Sequence, residues 1–216
     1  MLGAQLFASE RLEVLCLGAH CDDVEIGCAA TLTQILRRHS GARVRWVVLS
    51  SDPVREAETR TAATKLGAGR IDVEVCNFRN GYFPYHGASI KEFFDSLKLR
   101  VRPDLVFTHR LEDRHQDHRI VSELTWNTFR DNFILEYEIA KYEGDLGHPN
   151  VFVPVLAHEA DEKVRVLWES FPSQREKHWF SDETFRSLMR LRGIECNSGS
   201  GYAEAFHCRK VVLRLA

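Results

Sequence analysis

This 216-residue chain lacks any run approaching 18 consecutive apolar residues, so no membrane span is expected. It lacks a surplus of positive charge: 29 Lys and Arg stand against 31 Asp and Glu, a net charge of −2, which argues against a dedicated nucleic-acid binder. None of its six cysteines forms a Cys-x-x-Cys pair, which sets aside a thiolate zinc site. Cys16, Cys28 and Cys76 lie in apolar surroundings and read as reduced core residues. No G-x-G-x-x-G follows the first apolar run, which removes a nicotinamide site, and no G-x-S-x-G nucleophile elbow occurs. Asn197-Ser198-Gly199-Ser200-Gly201 has neither the lysine nor the spacing of a phosphate loop and reads as a flexible turn. Met1 to Leu6 has no basic stretch leading into an apolar core, so a cytoplasmic location is the expectation. With no internal repeat, low-complexity tract or linker, the expectation is a single domain over 1–216 with a substantial core.

What is present is an alternation of short apolar runs and helical patterns. Val14 to Ala19 is short and wholly apolar, as a buried strand is. Val24 to Arg38 has helical length and an apolar stripe at Ile26, Ala29, Ala30, Ile35 and Leu36. Val44 to Leu49 reads as a strand, Arg55 to Leu66 as a helix stopped by Gly67, and Ile71 to Val75 as a half-exposed strand. Ile90 to Leu99 and Asp117 to Phe129 read as helices, with strands at Leu105 to Thr108 and Phe133 to Ile139. Beyond Val151 the pattern gives a short strand to Leu156, helices around Ala160 to Ser170 and Asp182 to Leu191, and a closing edge strand at Cys208 to Leu213. Such alternation predicts a single-domain α/β fold, a Rossmann-like sandwich with a mostly parallel sheet flanked by helices. The glycine- and aromatic-rich stretch Asn77 to Ser89 suits a loop over the active face.

Chemistry concentrates at two predicted strand ends, where ligands of open parallel sheets bind. His20-Cys21-Asp22-Asp23 follows the first strand, and Asp113-Arg114-His115-Gln116-Asp117-His118 follows Leu105 to Thr108. His and Asp from both ends can meet on one metal ion. Plainer readings stand beside this one. Asp22 followed by Glu25 is also a helix capping box, and Asp117 suits a helix cap. Arg55 suits a solvated pair with Glu56 or Glu58. Two His and one carboxylate also make the triad of a non-haem Fe(II) oxygenase, and a metal- or sugar-binding protein without catalysis needs no more.

His20-Cys21-Asp22-Asp23-x-Glu25-x-Gly27 resembles the His-Pro-Asp-Asp-x-Glu-x-Gly signature of the LmbE-like zinc deacetylases, which include the N-acetylglucosaminyl-phosphatidylinositol de-N-acetylases (PIG-L). Asp113-x-His115-x-Asp117-His118 resembles that family's second motif, and the two together are specific. Arg55-x-x-Glu58 is similar to its arginine-bearing helix. Ser173-Gln174 and Tyr202-Ala203-Glu204-Ala205-Phe206 resemble its C-terminal signatures. The resemblance implies zinc held by His20, Asp23 and His118, Asp22 as general base, His115 as the stabiliser of the oxyanion, and Asp117 as the partner orienting His115; a protonated His115 ring is what charge stabilisation at the carbonyl oxygen leads one to expect. It implies substrate contacts from Arg55 and from Asn80, which precedes Gly81 where many members have Asp-Gly. Cys21 stands in place of the signature proline and is expected to point away from the metal. The implied activity is removal of the acetyl group from a small-molecule N-acetyl amino-sugar conjugate, and the implied assembly is a homo-oligomer.

Overall fold

In a computed structural model that describes residues 11–212, apolar side chains alternate along the first strand and build two cores. Val14 and Cys16 enter one; Leu15, Leu17 and Ala19 enter the other. A strand buried on both faces needs helices on both faces. Five strands are parallel: β1 (Glu13–His20), β2 (Arg43–Ser50), β4 (Leu105–His109) and β5 (Phe133–Tyr137), largely buried, and β3 (Ile71–Val75), a half-exposed edge strand. Helices α1 (Asp23–Arg38), α2 (Pro53–Gly67), α3 (Gly87–Arg100) and α4 (Gln116–Thr128) connect the first five. β6 (Val151–Val155), α5 (Ala157–Ser170), α6 (Asp182–Glu195) and β7 (Tyr202–His207) complete the described chain. The seven-stranded sheet runs β3-β2-β1-β4-β5-β7-β6. The larger core packs α1, α2, α5 and α6 on one face, and the smaller packs α3 and α4 on the other.

The closing strand differs from expectation. It is Tyr202–His207, antiparallel to both β5 and β6, and therefore interior to the sheet. Residues 208–212 form no strand, and Leu213 lies outside the described residues. Val211 and Val212 drew the reading to 208–213 by their hydrophobicity, yet both are exposed. The centre of β7 is two alanines around a buried glutamate, Glu204, which hydropathy ranks as surface. All six cysteines are free; Cys16 and Cys28 are buried, while Cys76 is only half-buried.

α1 is buried on nearly every side and is not a continuous helix. At Cys28 the backbone leaves helical geometry (φ −148°, ψ 18°). The break frees backbone groups that must find other partners. Glu204 accepts from the N–H groups of Ala30 and Thr31 at 3.0 and 2.7 Å, and Lys163 donates to the Ile26 carbonyl and to Glu204 at 2.6 Å each. Glu204 thus acts as an internal N-cap for the second half of α1. Just before the break, Gly27 lies against the Tyr137 ring so closely that a Cβ there would fall 2.5 Å from ring atoms. The Tyr137 hydroxyl donates to the Leu17 carbonyl at 2.7 Å.

Candidate active site

β1 has β2 and β3 on one side and β4 and β5 on the other, so the order of connection reverses between β1 and β4. A crevice opens at the carboxyl ends of strands at such a point. The β1–β4 register ends at Cys16 and Phe107. Past it, the Ala19 N–H donates to His109 Nε2 at 2.9 Å instead of to a strand carbonyl. His20 ends β1, and His115, Asp117 and His118 sit where α4 begins after β4.

The two strand ends meet. His20 Nδ1 is 3.2 Å from His118 Nε2 and 3.5 Å from Asp23 Oδ2, and His118 Nε2 is 3.6 Å from Asp23 Oδ1. Donors held about 2.1 Å from one tetrahedral ion stand about 3.4 Å apart, so His20 and His118 are spaced to share a metal, while Asp23 turns a different carboxylate oxygen to each of them. Among the described residues, the trios whose single donors all lie within 4.8 Å of one another are His20–His115–His118 and Asp23–His109–His118. His109 already uses Nε2 to accept from Ala19, which disfavours it as a ligand. The far nitrogens of His20 and His118 are each held by a carboxylate: His20 Nε2 by Asp117 Oδ2 at 3.1 Å, and His118 Nδ1 by Asp113 Oδ2 at 2.9 Å. Carboxylate-backed imidazoles are the usual second tier of a metal centre.

The charges follow from these contacts. Burial alone would lower the pKa of His20, but the bonds to Asp117 and Asp23 outweigh it and raise it to about 9. Burial, with nearby His109, lowers His118 to about 3. Burial would raise Asp113, yet His118, His109 and Lys141 pull it below the carboxylate range. Lys141 Nζ lies 2.9 Å from Asp113 and 2.8 Å from Asp145. Burial lifts Asp22 to about 6, with Arg55 pulling the other way. Glu25 is buried with neither carboxylate oxygen hydrogen-bonded, and burial pushes it well above the usual range.

Asp22 is not a cap. Its backbone is left-handed (φ 93°) and its side chain makes no bond to the helix; Oδ1 accepts from Arg55 Nη2 at 2.9 Å. Arg55 also donates to the Cys21 carbonyl. Arg55 therefore faces the site instead of pairing with Glu56 or Glu58: Glu56 pairs with Arg60, and Glu58 accepts from Ser173. Asp117 departs from expectation too. Its carboxylate accepts from Gly81 and Phe83 N–H groups at 2.6 and 3.1 Å and contacts His20, so it buttresses His20 and not His115. His115 is the N-cap of α4, its Nδ1 accepting from the Asp117 N–H at 3.3 Å. With Nδ1 the acceptor, a neutral ring carries its proton on Nε2. Burial and the charge of His20 lower its pKa, which disfavours the protonated ring that was expected. Asn80 is exposed at the rim, one residue before the anchored Gly81. The Cys21 thiol lies 3.1 Å from Ser51 Oγ, and burial raises its pKa to about 11, so it is a protonated neighbour facing Ser51.

Sequence reasoning gave no role to Asp113, His109 or Lys141. Asp113 opens the second motif and His109 is the last residue of β4, so both positions carried a signal. Lys141 follows β5 with no local pattern to mark it.

A family model described as PIG-L, GlcNAc-PI de-N-acetylase, matches residues 15–129, just over half of the chain and the part that holds both motifs. The chain belongs to the PIG-L family. Among curated relatives, the uncharacterized deacetylase YaiS of Escherichia coli (strain K12) is 31% identical over 126 residues, 53% of this chain. The match spans 66% of that relative, just under two thirds of its length. Among solved structures, the N,N′-diacetylchitobiose deacetylase of Pyrococcus horikoshii superposes with a TM-score of 0.66 at 23% identity, covering 91% of this chain and 83% of that one. The 4-carboxy-2-hydroxymuconate hydratase GalB of Pseudomonas putida KT2440 superposes with a TM-score of 0.74 at 18% identity, covering 95% and 100%. This PIG-L fold is thus similar to that of a deacetylase and to that of a hydratase, and the reaction has to be argued from the site.

Proposed function

We propose that this PIG-L member is a zinc-dependent amidase that removes the acetyl group from an N-acetylated amino sugar or its conjugate, releasing acetate and a free amine. The observation that carries the reading is Asp22: a buried carboxylate beside the candidate metal trio, outside it, unused by the helix and raised to about 6. A pure binding site has no need of it. His20, Asp23 and His118 would hold the ion, as the spacing of their donors and the carboxylates behind both imidazoles support. When bound, zinc supplies Lewis-acid activation of a water and polarisation of the acetyl carbonyl.

The chain's own groups do the rest. Asp22 takes a proton from the attacking water and returns it to the departing nitrogen, so one residue serves as base and then acid. Arg55 holds Oδ1 of Asp22, which leaves Oδ2 for the proton. His115, with Nδ1 engaged by the helix, presents Nε2–H to the carbonyl oxygen as negative charge develops there. Asp117 fixes the ring of His20 and, through Gly81 and Phe83, the loop in front of it. Arg55 and Asn80 are the proposed substrate contacts. A cytoplasmic homo-oligomer is part of the same reading. Supporting it, no described helix is long and apolar enough to cross a membrane, and Leu191 and Ile194 are exposed on α6.

The test is acetate release from a panel of N-acetylglucosaminyl conjugates, with metal content measured on the same sample. His20→Ala, Asp23→Ala and His118→Ala should each lose most metal and activity, because three ligands cannot spare one. Stoichiometric zinc in any of the three would remove that residue from the ligand set. No acetate from zinc-loaded enzyme across the panel would sink the amidase reading.

A further inference from the structure

The segment after β5 carries a cluster of charged side chains that the chemistry above leaves unused. Past Tyr137 the chain leaves the sheet and turns at Gly144, whose left-handed backbone (φ 60°) suits a residue without a Cβ. The turn brings Asp145 back to Lys141, whose Nζ donates to both Asp145 carboxylate oxygens at 2.8 Å. The same ammonium lies 2.9 Å from Asp113 Oδ2. Asp145 in turn accepts from the Arg114 N–H through Oδ2 at 2.7 Å, and from Arg110 Nη1 through its carbonyl at 2.9 Å. One short segment therefore grips Arg110, Asp113 and Arg114, the loop that leads from β4 into α4.

Asp113 is the support of His118. It has three donors: Lys141 and His118 Nδ1 on Oδ2, at 2.9 Å each, and the His115 N–H on Oδ1 at 2.8 Å. His118 Nε2 faces the other candidate ligands. Among the described residues His118 belongs to every candidate set: with His20 and Asp23, with His20 and His115, and with Asp23 and His109. Whichever set takes the ion, His118 is in it. An imidazole ligand is aimed by the group on its other nitrogen. Here that group is Asp113, and Lys141 sets where Asp113 stands. The Lys141 side chain is only 9% exposed and the two carboxylates 6% each. An exposed pair would hold its partners weakly. At this burial the ammonium is what lets two carboxylates share one place, and its loss would leave them as uncompensated charges.

We infer that Lys141, anchored by Asp145, is a positioning residue of the metal centre: it holds the Asp113 carboxylate where that group aims His118 Nε2 at the ion. Both residues lie beyond residue 129, outside the part of the chain that the family model matches. The inference rests on the metal site of the proposed reading and is independent of the substrate.

The experiment measures the zinc Kd of the full chain by chelator competition, in wild type, Lys141→Met, Asp113→Asn and the double variant, with His118→Ala as reference. Lys141→Met should weaken zinc about tenfold, the lower end of the loss seen when the group behind a ligand is removed. Asp113→Asn should weaken it further, by up to ~100-fold. Because Lys141 acts through Asp113, adding Lys141→Met to Asp113→Asn should cost less than about twofold more. A merely structural ion pair would lower resistance to urea and leave the zinc Kd of the folded Lys141→Met protein unchanged, and that result would overturn the inference. A full tenfold loss on top of Asp113→Asn would overturn it too, since Lys141 would then act by another route. Should Lys141→Met fail to fold, Lys141→Gln, which keeps a donor but no charge, takes its place with the same two overturning results. Zinc bound by wild type, lost by His118→Ala and indifferent to the change at Lys141 would sink this inference alone. No zinc on wild type would sink the metal site and this inference with it.

Discussion

Asp22 holds a backbone conformation that few residues other than glycine adopt, although asparagine and aspartate tolerate it best. Asp22→Asn should therefore fold and keep its metal while activity falls about 10²–10⁴-fold, the range of general acid–base catalysis. Loss of metal would make Asp22 a ligand, and near-full activity would leave it no catalytic part. His115→Ala should keep metal and KM, with kcat lower by about 10²–10³-fold, as for loss of one oxyanion donor. A rise in KM alone would remove that role. His20 carries a pH consequence. Its pKa without metal is raised to about 9 by Asp117 and Asp23, and a ligand must be neutral, so metal has to displace a proton at any pH below that. His118, lowered to about 3, adds nothing in this range. Apparent metal affinity should rise with pH, by up to ~10-fold per unit, between about 6.5 and 8.5. Chelator competition giving one Kd across that window would contradict the proton-bound His20.

The elements were largely legible in the sequence because most buried strands are short apolar runs and helices such as α1 carry an apolar stripe, whereas α2, whose buried face includes Glu58 and Thr59, was legible mainly by its length and its stop at Gly67. β7 was not, since the centre of this interior strand, Ala203-Glu204-Ala205, has little apolar signal and its buried glutamate is there to cap α1. Glu204→Gln tests that cap. It would leave Lys163 buried beside a neutral partner and weaken two bonds to α1, and loss of one member of a buried ion pair costs about 3–5 kcal/mol. Urea unfolding should show a drop approaching that size, and a change below about 0.5 kcal/mol would mean the break at Cys28 needs no cap. The site was legible at the level of residue type, because His and Asp at strand ends are visible in one dimension. Its wiring was not. Asp117 pairs with His20 from 97 positions away, and Ser173 reaches Glu58 from 115 positions away; no local spacing announces either bond.

At the scale of the molecule, the candidate metal trio ties the end of β1 to the start of α4, and Asp117 extends that tie to the loop at Gly81 and Phe83. An ion bound there and not in the unfolded chain stabilises the whole fold. At a free concentration a thousandfold above Kd the gain is about 4 kcal/mol, roughly ten degrees in Tm for a chain of this size. Chelation followed by a thermal scan should show that loss, and an unchanged Tm in verified metal-free protein would exclude the trio as the place where metal binds.

Tyr137 joins the two ends of this design. Every candidate ligand and the candidate base precede residue 129, where the family match stops. Yet the Tyr137 hydroxyl holds the Leu17 carbonyl three residues before His20, and its ring is the surface on which Gly27 rests. The reactive groups and most of their supports belong to the first part of the chain, while Tyr137 adds one support from beyond it. Inheritance can therefore act on the two separately. A descendant that keeps both histidine–aspartate motifs letter for letter can still fall silent through drift at Tyr137 or Glu204, and its motifs alone would give no sign of the loss.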